Sequence, residues 1–167
     1  FSVAMRYFLP VLAFALGIAL AEIVHKKDLN LLHWRQAAVL VEALILLGVA
    51  FFPQNMNLLA NSLTSFACGI QVESFRKIRG NGIATTMCIG NMRSGTQNLC
   101  NYLQDRDIEN LKKALLYYGI IICFICGAII GNFFIKIFAE KAILCCSALL
   151  FFAFILMFID YEREKEQ

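Results

Sequence analysis

The sequence predicts an all-α fold, a polytopic transmembrane helix bundle of about five spans with one polar segment set among them. Two observations carry this. Of the 167 residues, 60% are hydrophobic and only 16% charged, against roughly 45–50% and 25% in soluble domains. The apolar residues also cluster in long runs broken by short polar stretches. Such runs suit a hydrocarbon core of about 30 Å, because a helix rises 1.5 Å per residue. A single integral membrane domain, 1–167, is therefore expected, with the lipid bilayer as its first partner. The net charge of +3 forms no basic, aromatic-interleaved surface, so nucleic acid is not an expected partner.

The first span is 7–24, with Pro10 near its expected start, where a missing N–H costs least. The charged loop "HKKDLNLLHWR" follows and places Trp34 at the membrane interface. The second span, 37–52, closes at Pro53, and "PQNMN" makes a short uncharged turn. The third span, 58–75, is visibly more polar and ends in "RKIR". Next comes "GNGIATTMCIGNMRSGTQNLC", the body of a polar re-entrant or broken segment over 80–103. It carries one charge, Arg93, and is too polar to face lipid. A charged linker, "QDRDIENLKK", leads to the fourth span, 114–138. The fifth, 142–159, precedes a polar tail, 161–167. No cleavable signal peptide is read, because the first apolar run continues too far and lacks a basic leader. Beginning at Phe1 rather than Met, the chain is expected to lack an N-terminal piece.

Basic residues set the orientation. Lys26, Lys27, Arg35, Arg76, Lys77, Arg79, Arg106, Lys112, Lys113, Arg163 and Lys165 fall on one side, against Arg6, Lys136 and Lys141 on the other. The richer side is expected to be cytoplasmic and to hold the C-terminus. "RKIR" and "ENLKK" share that side, so the polar segment should enter and leave there. Non-helical backbone at membrane depth must be buried in protein or line water. Gly80, Gly82, Gly90 and Gly95 permit the turns.

Four features could carry chemistry or assembly. In the third span Asn61, Thr64, Cys68 and Gln71 recur at helical spacing, with Ser62, Ser65, Gly69 and Glu73 beside them. That face must meet protein or water, either as interhelical hydrogen bonds or as a cavity lining. Glu42 stands inside "VLVEALILL", where a central carboxylate costs about 2.5–3.5 kcal/mol. It should be protonated, paired or facing water. Arg93 is its natural partner unless Arg93 reaches to the interface. Gly119, Cys123, Gly127 and Gly131 repeat every fourth residue and include "GAIIG", a pattern that lets another helix approach closely. The seven cysteines suggest no framework, since Cys68, Cys123, Cys126, Cys145 and Cys146 sit in apolar helical runs as small hydrophobes. "CFIC" lacks a nearby His, and His25 and His33 are loop residues without ligand-like partners. There is no nucleophile–base set, P-loop or metal-ligand cluster, so no enzyme, metal or cofactor is expected.

The stretch "GIQVESFRKIRGNGIATTMCIGNMRS" resembles the YoaK-like family of bacterial multi-pass integral membrane proteins, a domain of unknown function. Gln71, Phe75, Arg76, Gly80, Asn81, Thr85, Thr86, Met87, Gly90, Asn91, Arg93 and Ser94 carry the resemblance, while Ile89 stands where Thr is usual. The run from Leu9 to Gly17 and Glu42 also fit. The resemblance implies a bacterial plasma-membrane protein with an additional N-terminal span and an earlier copy of the polar segment. It thereby implies an internal duplication whose second unit is inverted, a transporter and channel signature.

The leading expectation is a transporter or channel for a small, anionic solute. Thr85, Thr86, Gly90, Asn91, Arg93 and Ser94 would line its path, with Asn61, Thr64, Gln71 and Glu42. Half-helix ends and exposed backbone would contact the solute, and Arg93 would favour negative charge. The alternative is a non-transporting membrane scaffold or sensor. The same polar groups would then lock helices together, and Gly119, Gly127 and Gly131 would assemble a homo-oligomer. An intramembrane enzyme would need a reactive site that the sequence lacks.

Overall fold

A computed structural model describes residues 2–26, 34–78, 80–83 and 85–165. Lys27, His33, Arg79 and the last two residues of the expected tail lie outside them. The fold is all-α apart from one minimal hairpin. Its helices are α1 (Ser2–His25), α2 (Trp34–Val49), α3 (Asn57–Ser74), α4 (Cys88–Asp105), α5 (Ile108–Phe138) and α6 (Ile143–Lys165). Strands β1 (Lys77–Ile78) and β2 (Asn81–Gly82) pair antiparallel.

Two of these helices are long and apolar enough to cross a membrane: Ala4–His25 within α1 and Ile108–Phe138, with mean hydropathies of 2.1 and 2.4. Neither is a buried core helix, since only 11% and 6% of their most apolar windows are buried. Leu115, Ile122, Ile129 and Phe133 of α5 are all exposed. Soluble proteins seldom leave so continuous an apolar face open to water, which points to membrane insertion. Ile143–Met157 is a shorter apolar helix. Of the other expected spans, α2 has only 16 residues, and α3 is diluted by Asn, Ser, Thr and Gln.

Several boundaries differ from expectation for identifiable reasons. The first helix begins at Ser2, so Pro10 lies in its interior rather than at its start. The ring removes the donor that the Arg6 carbonyl would accept, a loss that apolar helices tolerate. The expected linker "QDRDIENLKK" is almost entirely helical: α4 runs to Asp105 and α5 starts at Ile108. Arg106 takes the left-handed conformation at φ 54° and its N–H bonds the Tyr102 carbonyl at 2.9 Å, closing α4. Asp107 then caps α5, its Oδ1 accepting the Glu109 N–H at 3.0 Å. At the other end α6 continues to Lys165, through most of the expected tail. Glu, Arg and Lys are good helix formers, and no Gly or Pro follows Ala142 to stop the helix.

The chain divides into two compact units, Phe1–Ser74 with Ile137–Gln167, and Phe75–Lys136. In the first, α1 packs on α3, α3 on α2, and α2 on α6, so spatial order is not chain order. The α1–α3 crossing is close. A Cβ added to Gly17 would collide with the Phe66 carbonyl, and one added to Gly69 with the Phe14 carbonyl. Ala13 and Ala21 flank Gly17 at i±4, giving the small-residue row that lets helix backbones meet. Ala21, Ala38 and Ile70 join α1, α2 and α3 in one buried cluster, with Trp34 and Phe66 against it.

Two buried polar side chains fasten α2 to α6. Gln36 Nε2 donates to the Met157 carbonyl at 2.7 Å, and Ser147 Oγ donates to the Ala43 carbonyl at 2.8 Å. A hydrogen bond between apolar helices is worth about 0.6–2 kcal/mol. Ser147→Ala is therefore expected to lower stability by about 1 kcal/mol, read as a small fall in the thermal midpoint of purified protein.

The second unit contains the hairpin, α4 and all but the end of α5. Gly80 turns the hairpin at φ +79°, a conformation open to glycine at little cost. The Ile83 N–H bonds the Arg76 carbonyl at 2.9 Å, continuing the ladder by one rung.

Candidate functional site

The segment expected to be re-entrant or broken is ordered here in three pieces. A hairpin is followed by a short non-helical stretch around Thr85–Met87, and then by the unbroken α4. Met87 holds the N-cap position with extended backbone and no side-chain cap. The first-turn N–H groups of α4 thus lack both intrahelical acceptors and a capping oxygen. Immediately upstream, Thr85 and Thr86 each carry a buried hydroxyl oxygen with no hydrogen-bond partner among the described residues. A covered, unpaired hydroxyl is costly and uncommon. Two in succession beside an uncapped helix start form a cluster of unspent donors.

The surrounding side chains hold this stretch in place. Asn91 is only 3% exposed, and its Nδ2 donates back to the Met87 carbonyl at 3.1 Å. One turn later Gly95 lies under Tyr117, where an added Cβ would stand 3.2 Å from the tyrosine Cβ. The buried Tyr117 sends its hydroxyl to the Gly82 carbonyl at 3.0 Å. Thr96 Oγ1 and the Tyr118 hydroxyl share a hydrogen bond of 2.9 Å. The two tyrosines of α5 therefore position both the hairpin and α4. Sequence reading missed them, because tyrosine in an apolar run reads as an interfacial residue. Beside Thr85 an open, mostly apolar groove of about 540 Å³ runs along α5, past Leu115, Gly119 and Cys123.

The family described as "Protein of unknown function (DUF1275)" matches residues 1–156. The chain belongs to the DUF1275 family. No curated protein matches it, and no solved structure does.

The residues anticipated for a path fall in different parts of this DUF1275 chain. Thr85, Thr86, Asn91 and Ser94 lie in the second unit, with Gly90 and Arg93 exposed on α4. Glu42, Asn61, Thr64 and Gln71 belong to the first unit. There Thr64 Oγ1 bonds the Ala60 carbonyl at 2.9 Å and Ser62 Oγ the Leu58 carbonyl at 2.8 Å, so part of the α3 stripe is satisfied within its own helix. Asn61 is exposed and Gln71 half-buried. Glu42 is 5% exposed, and its Oε2 has no partner among the described residues. A Cβ added to Gly119, Gly127 or Gly131 meets nothing within 4 Å among the described residues. All seven cysteines are free thiols, and no metal-ligating cluster occurs among the described residues.

Proposed function

We propose that this DUF1275 protein is a multi-pass protein of the bacterial plasma membrane, with a cytoplasmic C-terminus, that moves a small anionic solute. In this reading it is a YoaK-like member of the family. The shorter helices α2, α3 and α6 cross the membrane with α1 and α5. The observation that carries the transport reading is the pair of covered, unpartnered hydroxyls of Thr85 and Thr86 at the uncapped start of α4. Hydroxyl and backbone N–H donors at a helix N-terminus suit a carboxylate or other small anion, which the helix dipole also favours. Arg93, on the first turns of α4, adds a positive charge.

Replacing both threonines by the isosteric valine tests this. In transport, the hydroxyls are kept at a cost to stability until an anion meets them. The Thr85→Val/Thr86→Val protein should then be more stable than wild type by about 1 kcal/mol without anion. It should also lose the stabilisation that acetate, phosphate or sulfate gives the wild type. The opposite pair of results, loss of stability and no anion effect in either protein, would favour a scaffold or sensor. That second reading draws on the open positions at Gly119, Gly127 and Gly131, which could seat a second copy of the chain.

A further inference from the structure

We propose that Glu42 is a proton-binding site built into the first unit. Its carboxyl holds a proton while α2 packs as it does here, and releases it only when water enters the seam between α2 and α3. Glu42 lies eight residues after Trp34 and seven before Val49 in α2, so about 10–12 Å of helix separates it from either end. It is 5% exposed, and Val39 and Leu46 on the same face, with Ala43 beside it, are buried too. One turn away, Ala38 belongs to the apolar cluster with Ala21 and Ile70.

Among the described residues no cation faces it from a packed element, and the one other charged residue of α2 is Arg35, two turns toward the helix start. From α3 the titratable neighbour is Cys68, close enough for the two groups to interact electrostatically. Between Asn57 and Val72, α3 carries no charged residue. From α6 the stretch 143–159 offers only the thiols of Cys145 and Cys146. On α1 the nearest acid is Glu22, at the helix end and paired with Lys26 at 3.0 Å.

A carboxylate with no counter-charge and no donor cannot remain ionised in such surroundings. A metal ion would need several oxygen ligands, and no such cluster exists among the described residues. The proton is the one cation that a single carboxyl can hold alone. Losing it demands hydration, and hydration demands that α2 and its neighbours part. Proton release and helix opening are thus one event. Use of that event to drive a solute rests on the transport reading above; the proton site itself does not.

The test uses the full chain in proteoliposomes and a hydrophobic carbodiimide, which modifies protonated carboxyls in apolar surroundings. Wild type should be modified at Glu42, located by peptide mass. Modification should fall about tenfold per pH unit once the carboxyl ionises, and Glu42→Gln should lose it. Opening is read separately, as alkylation of Cys68 by a membrane-impermeant maleimide in a chain whose other cysteines are replaced by alanine. As pH is raised through the range where carbodiimide modification falls, labelling should rise several-fold more with Glu42 present than with Glu42→Gln, which fixes the protonated shape. Glu42→Asp should restore the excess. Equal carbodiimide modification of wild type and Glu42→Gln would overturn the proton site. Equal maleimide curves would overturn the coupling to opening. Neither result depends on whether any anion binds near Thr85, so the two readings fail independently.

Discussion

Gly17→Ala is expected to lower the thermal midpoint of the purified protein sharply, and Gly17→Leu to prevent folded protein from accumulating. The new Cβ would point into the Phe66 carbonyl, with the Phe66 carbonyl carbon and the Ile70 nitrogen close behind. All three are backbone atoms, so no flexible side chain can swing away and the helices must separate. Overpacking of this kind costs about 1–3 kcal/mol even where side chains can yield. In the multi-pass reading proposed above the loss is worse, because between membrane helices close packing replaces the hydrophobic drive that lipid removes. Gly69→Ala should behave alike, since its Cβ would meet the Phe14 carbonyl from the other side of the same crossing. The double variant should cost less than the sum, because one separation relieves both clashes. Gly48→Ala is the control. Nothing lies within 4 Å of its Cβ, and exchange of Gly for Ala inside a helix is favourable by about 1 kcal/mol. Unfolding followed by a thiol-reactive dye reports all of these, with half-buried Cys68 as a reporter in the same helix as Gly69. A Gly17→Ala midpoint equal to wild type would mean that α1 and α3 do not meet this closely.

That crossing shows where the sequence was legible and where it was not. Apolar runs and their polar breaks gave the helical class and most of the helices. Helix ends were less visible, because caps such as Asp107 and the left-handed Arg106 act through backbone geometry rather than composition. Small-residue spacing is readable in two places, Ala13–Gly17–Ala21 and Gly119–Cys123–Gly127–Gly131. Within the first unit the former is in use, against α3, while a Cβ added to any of the latter glycines meets nothing nearby. Spacing states that a backbone can be approached; only the opposing surface decides whether it is. Glu42 was legible because one carboxylate in an apolar run has few physical outcomes. The hydroxyls of Thr85 and Thr86 were found as polar groups, but their lack of partners is a property of the surrounding fold. Conversely, Ser62, Thr64 and Ser74 looked equally polar, yet each bonds a carbonyl four residues back in α3.

Tyr117→Ala should dismantle the second unit more than any other single truncation there. Alanine keeps the Cβ that stands against Gly95 of α4 but loses two other contributions. The ring helps fill the interior of the unit, since the residue is 7% exposed, and the hydroxyl holds the Gly82 carbonyl at 3.0 Å. Removing a buried aromatic costs about 3–5 kcal/mol, and the freed Gly82 carbonyl adds a further penalty unless water reaches it. Tyr117→Phe separates these contributions, because it deletes only the hydrogen bond and should cost about 0.5–1.5 kcal/mol. Limited trypsin digestion is a direct readout. Arg76 and Lys77 are exposed at the hairpin, and β1 is held by pairing with β2, which Tyr117 anchors. Cleavage there should accelerate strongly in Tyr117→Ala and slightly in Tyr117→Phe. The remote bonds of Gln36 and Ser147, in the first unit, should leave the rate unchanged when removed. The same series bears on the anion site. Thr85 and Thr86 lie between the hairpin and α4, and both of those elements are held by this one tyrosine. Anion stabilisation should therefore weaken in Tyr117→Phe although that residue donates nothing to the anion. Equal anion stabilisation in wild type and Tyr117→Phe, with faster cleavage only in the latter, would place the anion's contacts away from Thr85.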